Sequence, residues 1–312
     1  MCGIFGFAGK SRWKTSALLQ ALFITDEVRG RHSTGLVIQT GKGGCFFRKK
    51  AVRGSEFVAQ GNTAFLFHNE YGLCLGHNRY ATAGAVNDRN AHPFGVKVKE
   101  VWNYGVHNGI VVGKRRIANA YRVNEAAVDS EVVFRAIAKM QNRKKGVTDA
   151  IEDITDFISG SADFAFAYLE ASERAIYLWR SPERPLAVFD ARKLGLGRWF
   201  CSTEEIFVHA WRLLRGALGD IRKVTCFEAK PFRLYRVADD GVFEVEPVKD
   251  LKHQSGAKRE SCTLLFRQED LLDEATLQEM LSEDSDAGTA DTETAFEKII
   301  RGNRVHDRRS YF

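Results

Sequence analysis

The chain opens Met1-Cys2-Gly3-Ile4-Phe5-Gly6, and the reading of these residues decides the fold. A small residue after Met1 permits its removal, which leaves Cys2 with a free α-amine beside its thiol. A thiol with an ordinary pKa of about 8.5 and an amine of about 7.7 to 8 can exchange a proton near neutral pH. Nucleophile and base then sit on one residue. A second-position cysteine is more often a small buried hydrophobe, so the residues downstream carry the decision.

Working outward, 312 residues with 44% hydrophobic and 11% aromatic content suffice for one large domain or two small ones. The early apolar run Leu18 to Ile24 follows Lys10, Arg12 and Lys14 in the manner of a short signal segment. Cleavage after it would discard Cys2, and Thr15-Ser16 ahead of Ala17, Leu18, Ala21, Leu22 and Thr25 reads as a capped amphipathic helix. No stretch approaches the roughly 20 apolar residues of a membrane span. The cysteines, Cys2, Cys45, Cys74, Cys201, Cys226 and Cys262, lack CxxC spacing, which argues against a zinc site and for a reducing cytoplasm. The net charge of +6 comes from short clusters such as Arg48-Lys49-Lys50 and Lys114-Arg115-Arg116, with no nucleic-acid motif around them. Nucleic acid is therefore not the expected partner.

Along the chain, strands are expected at Ile4 to Ala8 and Leu36 to Gln39, buried strands at Phe46-Phe47 and Leu73 to Leu75, and a half-buried strand at Val96 to Trp102, with a helix at 15–28. Asn108-Gly109 reads as a tight turn, in the plainest case a hairpin. Asp129 reads as the N-cap of a helix carrying Val132, Val133, Ile137 and Met140, and a second helix covers 147–158. Strands follow at Phe164 to Leu169, Ala175 to Trp179, Leu186 to Phe189, Trp199 to Ser202, Val224 to Phe227, Phe232 to Val237 and Val242 to Glu246, with a helix at Glu204 to Leu214. Many strands flanked by two groups of helices imply an α+β layered sandwich. Beyond residue 250, one or two helical turns are expected at Leu264 to Leu281. An acidic, Ser/Thr-rich tether at 283–294 and a short helix at Thr294 to Arg301 complete the tail.

The polar islands come in the order Cys2-Gly-Ile-Phe-Gly, Arg29-Gly-Arg-His-Ser-Thr-Gly, Gly76-His-Asn-Arg-Tyr-Ala-Thr, Asn90-Ala-His-Pro-Phe, His107-Asn-Gly and Asp129-Ser-Glu. This series resembles the glutaminase domain of class II glutamine amidotransferases, and looks most like stand-alone members encoded by bacteriophages. The resemblance covers roughly residues 2 to 230, including Arg180-Ser-Pro-Glu-Arg-Pro-Leu and Cys201-Ser-Thr-Glu. It implies the four-layer αββα sandwich of N-terminal nucleophile hydrolases, with Cys2 attacking the side-chain amide of glutamine and its own α-amine moving the proton. It further implies an oxyanion site at the Asn108 amide and Gly109 N–H, and Arg29 near the nucleophile. Arg79 would hold the substrate's α-carboxylate and Asp129 its α-ammonium, with Thr82 and His92 lining the pocket. No metal or organic cofactor is implied.

This chain departs from the family pattern at His32, where an aspartate is frequent, at Tyr80, where a tryptophan is frequent, and at Ala83, where a histidine is frequent. Residues 2–250 are read as the glutaminase domain and 251–312 as a polar extension, partly flexible, without a phosphate-binding glycine loop. The ammonia acceptor is then a separate synthase, and the protein is expected in the cytoplasm, the host's if phage-encoded. Two other readings stand beside this one: a related hydrolase acting on another amide, and a non-catalytic binding or virion-associated protein that keeps the fold.

Overall fold

The first strand, β1 (Gly3–Ala8), is buried along its whole length and hydrogen-bonds neighbours on both sides, as its apolar run requires. The structure, a computed structural model, describes residues 1–214, 216–238 and 249–252. After β1 come α1 (Trp13–Thr25), β2 (Ser33–Thr40), β3 (Cys45–Lys50), α2 (Gly54–Ala59), β4 (Tyr71–Arg79), β5 (Phe94–Val98) and β6 (Val101–Val111). Next are α3 (Lys114–Tyr121), α4 (Asp129–Asn142), α5 (Val147–Ile158), β7 (Ala162–Glu170) and β8 (Ala175–Arg180). Then follow β9 (Ala187–Asp190), β10 (Arg198–Cys201), α6 (Glu204–Leu213), β11 (Thr225–Glu228), β12 (Arg233–Ala238) and β13 (Lys249–Asp250).

The strands form two sheets, ordered β11-β9-β10-β1-β4-β2-β3 and β13-β12-β8-β7-β6-β5. Side chains from their facing surfaces make a shared core: Ile4, Val37 and Leu75 of one sheet meet Val106, Ala167 and Leu178 of the other. On the outer face of the second sheet, α4 and α5 bury Val133, Ile137, Ile151 and Ile154 against Phe164, Phe166 and Trp179. On the outer face of the first, Phe23 of α1 meets Phe5 edge-on at 4.7 Å, and Phe207 of α6 stacks on Phe189 at 3.9 Å. The layers are therefore αββα, as expected.

Four local expectations are corrected. Helix α1 is buried on nearly every side because α6 and α2 lie against it, so it is not amphipathic; it starts at Trp13, and the Thr15 hydroxyl accepts from Arg12 N–H at 2.7 Å. Phe46 and Phe47 are not buried, since β3 is the outermost strand and leaves them 53% and 46% exposed. The run 96–102 is two strands of a hairpin, broken at Lys99, whose φ is 44°. Asn108-Gly109 is no turn, because β6 runs unbroken through it and pairs with β7. The strand expected at Val242 to Glu246 and all the elements expected beyond residue 252 lie outside the described residues.

Candidate active site

Cys2 stands at the end of β1, where Gly3 pairs with Asn78 of β4, so the thiol meets the point at which β4 gives way to a loop. Tyr80 N–H donates to Sγ at 3.3 Å, and the thiol reaches the Tyr80 carbonyl at 3.4 Å. Cys2 N–H crosses to the other sheet and donates to Asn108 Oδ1 at 3.0 Å. Burial pushes the thiol's pKa up, against the opposing pull of the Tyr80 hydrogen bond, the terminal amine, Arg79 and Arg29. A thiol held so needs a base before it can attack.

Asn108 is fully buried on β6. Its carbonyl oxygen is taken by Cys2, and its Nδ2 has no hydrogen-bond partner among the described residues. An orphaned buried amide costs about 1 to 3 kcal/mol, a cost that an incoming acceptor removes. Gly109 has φ +145°, and a Cβ there would lie 1.9 Å from the Asp163 carbonyl. Replacing Gly109 with alanine is expected to destabilise the fold by about 2 to 4 kcal/mol. In a thermal melt this reads as a midpoint roughly 5 to 15 °C lower.

Arg29 lies on the 3₁₀ turn Asp26–Arg29 that follows α1, and its Nε donates to the Cys2 carbonyl at 3.0 Å. It grips the nucleophile's backbone, while its Nη2 faces the Met1 sulfur at 3.8 Å. Arg79 ends β4 with its side chain buried. Its guanidinium donates to the carbonyls of Ala83 and Ala85, and it feels the charges of Cys2 and Asp129. Ala83, one of the departures, thus contributes its carbonyl to the hold on Arg79.

Asp129 is the first residue of α4; the N-cap position belongs to Val128, which corrects the capping assignment by one residue. Its Oδ2 accepts from Val111 N–H at 2.7 Å, tying the end of β6 to the helix. Burial raises the Asp129 pKa, and the N–H groups of Val111, Ser130 and Asp129 itself act to lower it. His92 is buried beside it: Nε2 meets Ser130 Oγ at 3.1 Å and the ring stacks on His77 at 4.1 Å. Burial holds the His92 pKa well below the usual value, so the ring is neutral. Thr82 is exposed on the loop after β4, and among the described residues no hydrogen bond ties it to the other site residues.

His32 accepts from Ala81 N–H through Nδ1 at 2.8 Å and packs on the Tyr80 ring at 4.8 Å. An imidazole acceptor holds the 80–81 backbone here, a hydrogen bond that a carboxylate would also accept. Three residues escaped the sequence reading. Ser202 Oγ accepts from Ile4 N–H at 2.8 Å, anchoring β1. Lys49 donates to the carbonyls of Arg89 and Ala91 at 3.0 and 2.9 Å, holding the turn before His92. Arg184 places a cation near the terminal amine and Arg29. Ser202 and Arg184 lay inside quoted motifs without a role, and Lys49 was hidden in a basic cluster.

This arrangement can be set beside known proteins. No protein-family model matches the chain. Curated relatives include the glutamine–fructose-6-phosphate aminotransferases of Helicobacter pylori, 27% identical over 57% of this chain and 29% of that protein, and of Thermococcus kodakarensis, 29% identical over 65% and 32%. The chain thus spans about a third of the length of the curated relatives it matches. Among solved structures, glutamine phosphoribosylpyrophosphate amidotransferase from B. subtilis superposes with a TM-score of 0.60 at 19% identity, over 77% of this chain and 48% of that one. The chain is similar in sequence to glutamine–fructose-6-phosphate aminotransferases and in fold to a glutamine phosphoribosylpyrophosphate amidotransferase. Two antiparallel sheets lie between its helical layers. The relatives named are bacterial and archaeal, and the bacteriophage resemblance rests on its motifs alone. Among the described residues of this amidotransferase relative no helix is long and apolar enough to cross a membrane, and no group of three His, Cys, Asp or Glu is placed to hold a metal.

Proposed function

We propose that the chain is a type 2 glutaminase, hydrolysing the side-chain amide of L-glutamine to glutamate and ammonia through a Cys2 thioester. The observation that carries this reading is the cluster at the end of β1: the Cys2 thiol, bridged by its backbone N–H to an Asn108 whose Nδ2 is unpartnered. With Met1 removed, the Cys2 α-amine takes the thiol proton as sulfur bonds to the amide carbon. Charge then develops on the amide oxygen, where Asn108 Nδ2 and the Gly109 N–H are proposed to donate. The amine returns the proton to the departing nitrogen, releasing ammonia. Water attacks the thioester, the same amine receiving its proton, and glutamate leaves with the thiol restored.

Arg79 is assigned the substrate's α-carboxylate and Asp129 its α-ammonium; Thr82 and His92 are assigned to the pocket around them. Asp129→Asn keeps an acceptor for Val111 N–H but loses the charge. It is expected to raise KM for glutamine about 10- to 100-fold with a smaller change in kcat, as measured by steady-state glutamate release. Unchanged KM would remove Asp129 from the pocket.

The glutaminase domain is proposed to end near residue 250, and the acceptor of the ammonia to be a synthase on a separate chain. Capture experiments from the native source, with the full chain as bait, should recover a synthase. Repeated capture without one, from a chain fully active alone, would count against it.

A further inference from the structure

Asp26 opens the 3₁₀ turn that ends in Arg29, and it is completely buried. Neither carboxylate oxygen has a hydrogen-bond partner among the described residues. The group is pressed against the backbone of β1: a methyl group added to Gly3 would lie 1.6 Å from Asp26 Oδ2. Gly3 is thus the residue that lets a carboxylate approach the chain one position beyond the nucleophile. A buried carboxylate without donors is costly unless a cation answers it. Burial drives the Asp26 pKa well up, and the charges that act to bring it back down are Arg29, on the same turn, and the chain's terminal amine.

We propose that Asp26 is a positioning residue for the nucleophile, its carboxylate being the counter-charge to Arg29 and to the α-amine that loss of Met1 places on Cys2. The proposal rests on the glutaminase reading for its catalytic meaning, though not for its test. Arg29 grips the Cys2 carbonyl, and of the charges acting on Arg29 the largest that favours its charged form is Asp26. With Met1 in place the terminal amine is that residue's: burial holds its pKa down, Arg29 and Arg184 act in the same direction, and Cys2 and Asp26 favour the protonated form. From β10, the Cys201 thiol faces the pair, its pKa driven well up by burial and by Asp26, so it stays neutral. Glu27, the other acid of the turn, is engaged elsewhere, accepting from Ser55 N–H at 2.7 Å.

The sign follows directly. Exchanging the carboxylate for a neutral amide removes an attraction for –NH₃⁺, so the amine loses its proton at lower pH. The full chain, released from a fusion so that Cys2 is first and labelled with ¹⁵N-cysteine, allows the amine to be titrated by NMR in wild type and Asp26→Asn. The expected shift is about one unit downward, with the acid limb of kcat/KM for glutamine moving by the same amount. The Asp26 side chain has no hydrogen-bond partner among the described residues, so the variant has no side-chain hydrogen bond to lose; Asp26→Ser serves if Asn does not fold. An unchanged amine titration, with or without a change in melting temperature, overturns the proposal and leaves Asp26 a protonated filler. A shifted amine in a chain without glutaminase activity keeps the counter-charge and overturns the glutaminase reading instead.

Discussion

Asn108→Ala is expected to lower kcat for glutamine hydrolysis by about 10²- to 10³-fold, with KM little changed. The amide has its oxygen committed to the nitrogen of Cys2 and its Nδ2 uncommitted inside a fully buried setting. A donor fixed in that way needs no reorganisation as charge builds on the substrate oxygen, and its removal is felt in the transition state more than in binding. The variant also releases the Cys2 nitrogen, so a second substitution separates the two effects. Asn108→Asp keeps an acceptor for Cys2 while replacing the donor with a negative oxygen. It should lose at least as much kcat as the alanine variant, with glutamine still binding. Retention of activity in Asn108→Asp would show that the amide only anchors the nucleophile.

The second large effect is expected from Arg79→Lys, a loss of about 10²- to 10³-fold in kcat/KM carried chiefly by KM. Arginine's planar fork donates in several directions at once, and here it already reaches the carbonyls of Ala83 and Ala85. A lysine is a compact charge on a flexible stem; it cannot hold the 83–85 turn and present a bidentate face to a carboxylate together. Losing a bidentate, charge-assisted contact of about 3 to 4 kcal/mol gives the stated factor. The lysine variant keeps a positive charge beside Cys2 and Asp129, so a rise in KM without a fall in melting temperature points to geometry.

The legible parts of the fold were those set by local pattern. The apolar period of 147–158 gives α5 with both ends placed, and β1 follows from an unbroken apolar run. Helix α3 was not legible, because only Ile117 and Ala118 of its eight residues are buried and the rest reads as charge. Asn108-Gly109 misled for a physical reason: glycine's positive φ serves a turn and a distorted strand equally, and only the Asp163 carbonyl from β7 distinguishes them. Of the residues named from motif order, Arg29 and Asn108 hydrogen-bond the Cys2 backbone, Arg79 ends β4, Gly109 lies beside Asn108 within β6, and Asp129 opens α4. Lys49 and Ser202 were missed because their hydrogen bonds go to backbone distant in sequence, which no window along the chain contains.

The central claim is that Cys2 becomes the terminal residue and acts as the nucleophile. The intact mass of untagged protein, before and after exposure to a glutamine-like diazo-ketone, tests it directly, with Cys2→Ala alongside. The expected result is a chain lacking Met1 that gains a single adduct, and no adduct in the alanine variant. A chain that keeps Met1 and gains no adduct would contradict it, leaving a fold retained for binding.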